Sequence, residues 1–176
     1  MSLQRYQQFF RALTANLSDK DQEFIKAFLT LSEQHLFYAM TLSDQYHAFR
    51  VAKTSEQLAA AADSTVNNHL LIRCALLHDI GRQKGDMGIA GKVFAVLIHI
   101  FSRGCAMKWG KYNPNLLGKD PRHILYVYYH HPEIGAKFLR AAGLEAEAAI
   151  VAAHHRHTAP KDPPELILLR QADNMN

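Results

Sequence analysis

The apolar residues of this chain recur at intervals of three and four positions, which is the spacing of one face of a helix. Phe24, Phe28 and Leu31 follow that spacing in the first clear segment. Ser18 and Asp21, three residues apart just before it, resemble the capping box that starts many helices. The pattern therefore predicts a first helix that begins near Ser18.

The middle of the chain continues the same periodicity. A second helix is predicted from the low thirties to about Lys53, and Thr54 or Ser55 would cap its continuation into a run of alanines. A third is predicted to start at Ser64 and to end near Gly81, after an apolar series.

The C-terminal part is also predicted to be helical. β-branched residues nowhere alternate with polar ones over the length of a strand, so the predicted fold class is all-α. Proline suits the first position of a helix, and glycine suits the position just after its end. The predicted helices of this part run from Pro132 to Gly143, from Leu144 to about His155, and from Pro163, capped by Asp162, towards Asp173.

The segment 83–122 departs from this pattern, since six glycines lie among its basic and aromatic residues. One interpretation is an irregular excursion with a short buried helix around Val93–Phe101. Another is a lid that carries cations and aromatic side chains over a site, because long loops in compact domains are often functional. A membrane-surface role for its apolar run is a third alternative.

Composition limits the classes of function. A length of 176 residues fits one domain, and 48% apolar with 20% charged residues excludes wholesale disorder. A net charge of +4, dispersed along the chain, gives no strong nucleic-acid signal. Two cysteines are too few for a disulfide framework or a thiolate metal site. With no apolar run long enough to span a bilayer and no signal-peptide pattern at the start, we expect a cytoplasmic protein without a transmembrane segment.

The pair His78-Asp79 closes an apolar run whose one charged residue is Arg73. A buried carboxylate needs a cation. Arg73 lies six residues before Asp79, which is not the three- or four-residue spacing that brings side chains together on a helix. A metal ion with His78 as co-ligand would supply the charge, and an ordinary ion pair beside a core histidine is the alternative.

Asp173 raises the same question, because the C-terminal end of a helix disfavours a carboxylate. Arg170, three residues earlier, is one candidate partner, and a metal ion bound jointly with distant segments is the other.

Eleven histidines are present, including two His-His pairs. Imidazole and carboxylate groups without thiolates favour Fe, Mn, Ni, Co, Zn or Mg over copper(I) or cluster chemistry. Five histidines are interpreted as structural or surface residues: His35, His69, His99, His123 and His157.

Taken in order, these motifs resemble the HD-domain family of metal-dependent phosphohydrolases, an all-helical fold named for its His-Asp dyad. The resemblance covers about 35 to 176, with 1–34 as an N-terminal helical extension that packs on this domain and 83–122 as a long excursion between the dyad and the His-His-Pro motif. The matching elements are His47 in Tyr-His-Ala-Phe-Arg, His78 and Asp79 in His-Asp-Ile-Gly-Arg, His131 in His-His-Pro-Glu-Ile-Gly, the pair His154-His155, and Asp173 in Gln-Ala-Asp.

The resemblance implies two divalent metal ions, with Fe or Mn expected first and Ni, Co, Zn or Mg as alternatives. It implies that one ion is held by His47, His78, Asp79 and Asp173. Asp79 would bridge to a second ion held by His131 and His154, with His155 as a further ligand or a substrate contact. Arg82 and Lys84 would neutralise charge on the phosphoryl oxygens, or else be solvated surface charges.

The implied activity is hydrolysis of a nucleotide or other small phosphate ester by a metal-activated hydroxide. No Gly-Tyr-Pro signature follows His154-His155, so cyclic di-GMP is a minor option. A fainter similarity to small HD hydrolases of dinucleoside polyphosphates leaves His154 and His157 as alternative ligands. The rival functions are an HD-fold di-iron oxygenase and a non-catalytic HD signalling module, and a homo-oligomer is one expected assembly.

Overall fold

The computed structural model describes residues 16–62 and 65–176. Within these ranges the chain forms helices joined by short connections, which confirms the all-α prediction. The α-helices are α1 Asp19–Phe28, α2 Leu31–Tyr38, α3 Leu42–Ala60, α4 Asn68–Leu77, α5 Ile89–Trp109, α6 Pro121–Ala141, α7 Glu145–Ala153 and α8 Pro164–Met175, with a 3₁₀ helix at Leu117–Lys119.

Side-chain caps set the boundaries of the first three helices. Ser18 and Asp21 form the predicted capping box. The prediction of one helix from the low thirties to Lys53 is wrong, because Thr41 accepts a hydrogen bond from the Asp44 backbone and starts α3 afresh. Thr54 and Ser55, predicted as caps, lie inside α3.

The helix that precedes the His-Asp pair ends earlier than predicted. Its predicted start, Ser64, lies outside the described residues, and α4 begins at Asn68 with Asn67 as its cap. α4 ends at Leu77, so residues 78–81 form a turn rather than a last helical turn. This turn carries both side chains of the dyad, and His78 Nε2 lies 3.5 Å from Asp79 Oδ2.

The predicted helix start at Pro132 is wrong, because α6 begins at Pro121 and carries Pro132 in its interior. Asp120 caps α6 and Pro121 is its first residue, so the helix starts well before the His-His-Pro motif. Gly143, with φ +77°, follows the end of α6 as predicted. The last helix begins at Pro164, one position after the predicted Pro163.

One hydrophobic core unites most of the helices. Ile25 of α1 and Leu29 lie in the same buried cluster as Leu71, Leu139 and Leu169, so the described part of the predicted 1–34 extension packs on the main core. Residues 1–15 lie outside the described ranges. No helix within those ranges has the length and apolar content needed to cross a bilayer.

The 83–122 segment is more regular than predicted. In place of a short buried helix it contains the 21-residue α5, which is kinked at Ser102. A separate small cluster that includes Met87, Ala95 and Leu125 joins α5 to the first half of α6. The opposite face of α5 is open, and Phe101 is 82% exposed.

Candidate metal centre

Five elements place imidazole and carboxylate groups at one point beside the main core. Groups of three that bring their ligand atoms within 4.8 Å of one another are His47, His78 and Asp173, then His78, Asp79 and His154, and then His131, His154 and His155. All seven residues predicted as metal ligands are therefore brought together, although they are spread over 127 positions of sequence from 47 to 173.

The first group is closely spaced. His47 Nε2 lies 3.0 Å from Asp173 Oδ1, and His78 Nε2 lies 3.8 Å from the same oxygen. His78 Nε2 is also 3.5 Å from Asp79 Oδ2. Imidazole nitrogens and carboxylate oxygens from α3, α8 and the turn after α4 thus face a common centre.

Backbone carbonyls fix the orientation of two of these rings. Nδ1 of His78 donates to the Ala75 carbonyl at 2.8 Å, and Nδ1 of His154 donates to the Val151 carbonyl at 2.6 Å. His78 and His154 follow directly on the last residues of α4 and α7, where carbonyl groups lack helical partners. With the proton on Nδ1, each Nε2 presents a lone pair to the centre.

Pro132 provides the same arrangement inside α6. It has no N–H to donate to the carbonyl four residues earlier, that of Tyr128. His131 Nδ1 donates to this freed carbonyl at 2.9 Å, so Nε2 keeps its lone pair and lies 3.2 Å from Asp79 Oδ1. Pro132, which was wrongly predicted to start a helix, therefore orients the ring of His131.

Three potential ligand atoms at this centre are buried without a hydrogen-bond partner: His78 Nε2, His154 Nε2 and Asp79 Oδ1. Buried polar atoms without partners are rare and costly. A divalent cation would bind the lone pairs of all three atoms. A set of imidazoles and carboxylates without thiolate suits metals such as Fe, Mn and Zn. The residues present thus fit a metal ion.

Both members of the pair His154-His155 lie at the centre, whereas only His131 of the pair His130-His131 does. His131 and His154 have ring centroids 5.4 Å apart, and the exposed His155 lies 4.0 Å from His154. His130 points away and packs on Tyr126 at 4.6 Å, because neighbouring residues on a helix project about 100° apart.

Arg82 supplies a cation that the sequence analysis did not assign to Asp79. Its Nη1 donates to Asp79 Oδ2 at 2.7 Å and its Nη2 donates to His131 Nε2 at 2.9 Å. Arg73 instead pairs with Glu33 and Glu147, as its six-residue separation from Asp79 implied. The three-residue spacing between Asp79 and Arg82 was the sequence feature that could have predicted this ion pair. The ordinary ion pair therefore exists, but it leaves Asp79 Oδ1 without a partner.

Lys84, the second predicted phosphoryl contact, lies exposed in the turn at 84–86. Its backbone N–H donates to the Ala39 carbonyl at 2.9 Å, which ties this turn to the end of α2.

The carboxylates of the centre are held ionised. Burial favours the neutral acid of Asp79, but the Arg82 guanidinium, together with interactions with His78 and His131, outweighs burial and holds the pKa of Asp79 well below its usual value. Burial likewise opposes the charge of Asp173, and the hydrogen bond from His47 lowers the pKa of Asp173 below its ordinary range. At His47 burial lowers the pKa, but the same hydrogen bond and the charges of Asp79 and Asp173 together outweigh burial and raise the pKa.

His131 and His154 are held neutral. Burial, with the charge of Arg82 next, lowers the pKa of His131 to about 4. Burial also lowers the pKa of His154. Metal ligation needs the neutral ring, so these environments favour binding.

The metal-free protein should lose stability as the pH falls from 6.5 towards 4. An unfolded histidine takes up its proton near pH 6.5, whereas His131 in the folded chain does so only near its pKa of about 4. The unfolded state binds more protons in this window, so the His131 contribution lowers the free energy of unfolding by about 2 kcal/mol at about pH 5. His47 has the opposite sign, because its raised pKa makes the folded chain take up this proton first, so His47 adds stability as the pH falls towards 6.5 and is protonated in both states well below that pH.

Thermal unfolding of the chelator-treated protein at about pH 6.5 and about pH 5, below the range in which His47 adds stability on acidification, measures this effect. His154→Gln should reduce the difference between the two midpoints, because it removes a second group with the same sign. Equal midpoints in the unsubstituted protein would contradict the assignment of neutral buried rings.

Arg170 anchors the end of α7, and this role was missed from the sequence. It pairs with Asp162 at 2.6 Å and donates to the carbonyls of Ala153 and His154 at 2.7 and 3.1 Å. The alternative in which Arg170 partners Asp173 is therefore wrong. Asp162, predicted as the cap of the last helix, is instead the partner of this arginine, and Pro163 occupies the cap position.

A pocket of about 270 Å³ opens beside the centre, between the turn that follows α7 and the end of α8. Its wall includes His154, Asp173 and His157. His157, the predicted alternative to His154, thus lines the pocket, while His154 lies in the buried cluster.

Residues 45–100, about a third of the chain, match the family model described as HD domain. The matched segment contains His47, His78, Asp79 and Arg82. Neither the curated proteins nor the solved structures include one that matches the chain.

Proposed function

Because this chain carries an HD domain, a domain typical of metal-dependent phosphohydrolases, we propose that it hydrolyses a nucleotide or another small phosphate ester. The observation that carries the proposal is the set of buried, unpartnered His and Asp atoms that face one point beside an arginine. The unpartnered atoms suit a metal ion, and the guanidinium suits a phosphoryl group.

His47, His78, Asp79 and Asp173 would hold the first ion. This assignment is supported by the close spacing of the ligand atoms of His47, His78 and Asp173, and by the ionised state of the Asp79 and Asp173 carboxylates. A bound divalent ion polarises a phosphoryl oxygen and lowers the pKa of a water molecule. Iron or manganese is the expected metal.

His131, His154 and His155 would hold a second ion, with Asp79 shared between the two. Arg82 Nη2 lies at 2.9 Å from His131 Nε2, so a second ion at this nitrogen requires the guanidinium to move away. A displaced Arg82 is well suited to a phosphoryl oxygen, because its planar fork matches phosphate geometry. In this proposal the arginine exchanges a histidine partner for the substrate.

The substrate would enter the pocket beside His154. A volume of about 270 Å³ is small for a ligand pocket, which favours a compact phosphate ester over a long oligonucleotide. Arg156, His157 and Thr158 contribute donors to its wall, so the pocket suits an anionic group.

Arg82→Gln should lower kcat by roughly 10²- to 10³-fold while the first metal ion remains bound, because a charge aimed at the transition state is lost. Lys84→Gln is the matched control, with an exposed lysine two positions away, and little change is expected. Steady-state kinetics with metal content measured on the same samples checks this. A large loss in Lys84→Gln with none in Arg82→Gln would assign the phosphoryl contact to Lys84.

The function is tested by metal analysis coupled to a substrate screen. The purified chain, loaded with Mn²⁺ or Fe²⁺, is tested on phosphomonoesters, dinucleotides and cyclic nucleotides, with phosphate release and oxygen uptake measured in parallel. Metal-dependent hydrolysis of one class is expected. Oxygen uptake without hydrolysis would replace the proposal with the oxygenase, and absence of bound metal would replace it with a signalling module.

A further inference from the structure

The helix α5 is apolar on two faces, although only one of them is covered. Phe94, Ala95 and Ile98 pack in the cluster that α5 shares with α6. On the other side Val93, Leu97, Ile100 and Phe101 are exposed at helical spacing and form one stripe, which we name the outer stripe. A surface helix of a globular domain normally presents polar residues to water. The outer stripe therefore indicates a second, apolar environment.

The outer stripe continues beyond the kink at Ser102. Met107 and Trp109 are about half exposed, and Tyr112 follows in the connection to α6. An apolar helix that ends in Trp and Tyr beside lysines has the composition found at the boundary between lipid headgroups and acyl chains.

Positive charge is concentrated in the same segment. Residues 87–119 contain five Lys and Arg and no Asp or Glu, whereas the rest of the chain holds fifteen basic against sixteen acidic residues. This segment therefore carries a charge of +5 and the rest of the chain −1, so the earlier interpretation of the net +4 as dispersed along the chain is wrong. Lys92 is partnered by Asp44, but Lys108, Lys111 and Lys119 are exposed.

From these observations we propose that α5 docks on an anionic membrane surface, with the outer stripe in the interfacial region and the lysines against lipid phosphates. An amphipathic helix that combines apolar and aromatic residues with basic ones binds in this way. Because α5 is not long and apolar enough to cross a bilayer, it would lie along the surface.

A second copy of the chain suits this surface less well. A two-fold interface places the same patch of each subunit face to face. Two segments that each carry five positive charges and no negative ones would then repel each other. An anionic lipid surface matches both the apolar and the charged character of the segment.

Trp109 is the single tryptophan of the chain, so its fluorescence reports this segment alone. The full-length protein is titrated with vesicles of equal parts phosphatidylglycerol and phosphatidylcholine, and with vesicles of phosphatidylcholine only. We expect a shift of Trp109 emission to shorter wavelength and co-sedimentation with the anionic vesicles, both weakened by salt.

Phe101→Ser should lower the partition coefficient about tenfold, because the most exposed apolar side chain of the stripe is lost. Leu31→Ser is the matched control, since Leu31 is 77% exposed but lies outside the segment, and its binding should be unchanged. Circular dichroism of both variants verifies the fold.

Unchanged Trp109 emission with anionic vesicles at low salt would overturn the proposal. So would equal binding to neutral vesicles, or a lipid-free dimer that Phe101→Ser converts to monomer, since the last result would assign the stripe to a second copy. Binding that Leu31→Ser weakens as much as Phe101→Ser would overturn it as well.

Discussion

Asp79→Ala is expected to abolish metal binding and phosphate release while the helical content survives. Among the residues that the structure describes, Asp79 is the carboxylate that lies close to both His78 and His131, with oxygens 3.5 Å from His78 Nε2 and 3.2 Å from His131 Nε2. Without it, either proposed ion loses a charged ligand, and the shared position between them is lost. Metal content after dialysis, hydrolysis rate and far-UV circular dichroism are the measurements.

Loss of the carboxylate also leaves Arg82 buried without its partner, at a cost of about 3–5 kcal/mol in the metal-free protein. The double variant Asp79→Ala/Arg82→Ala removes both charges and should recover part of this stability without recovering metal. This separates the loss of a ligand from a general loss of structure.

Asp120→Asn is the matched control for removal of a carboxylate. Asp120 caps α6 away from the centre, and asparagine caps equally well, so metal content and activity should stay unchanged. Full activity in Asp79→Ala would contradict the proposed metal mechanism.

Gly81→Ala is expected to destabilise the protein by about 3 kcal/mol or more and to weaken metal binding. A Cβ at this position would lie 2.1 Å from the His131 backbone oxygen and 2.9 Å from the Gly135 nitrogen. Both are backbone atoms of α6, so the dyad turn or the helix must move. Denaturant unfolding and metal titration measure the two effects.

Two other glycines provide a graded comparison. A Cβ at Gly135 meets its nearest atoms at 3.3 Å, so Gly135→Ala should cost less. A Cβ at Gly104 in α5 meets nothing within 4 Å, and Gly104→Ala should be neutral or stabilising by up to about 1 kcal/mol. Similar effects at all three positions would show that close packing at the dyad turn is not the cause.

The sequence predicted the fold class and several boundaries because those depend on local interactions. The Ser18–Asp21 box and the stop at Gly143 each involve neighbouring residues. Pro132 was misplaced because the same residue suits a helix start and, where a neighbouring histidine takes up the freed carbonyl, a helix interior. That outcome depends on what α6 packs against, which local sequence does not encode.

The candidate site was predictable as a set of residue types, but its charge balance was not. The ordered His and Asp motifs indicated which side chains converge. The Arg82 contact with His131 spans 49 positions and joins two elements, so it required the fold. The sequence left open whether the apolar run of 83–122 is a short buried helix or lies on a membrane surface, since an apolar run alone does not distinguish a buried helix from an exposed one.

Anomalous diffraction from crystals of the chain soaked in Mn²⁺ tests the central claim most directly. The account predicts a strong peak between His47, His78, Asp79 and Asp173, and a second beside His131 and His154 from which the Arg82 side chain has moved. A map without a peak at the first position, with Arg82 still bonded to Asp79 and His131, would contradict it.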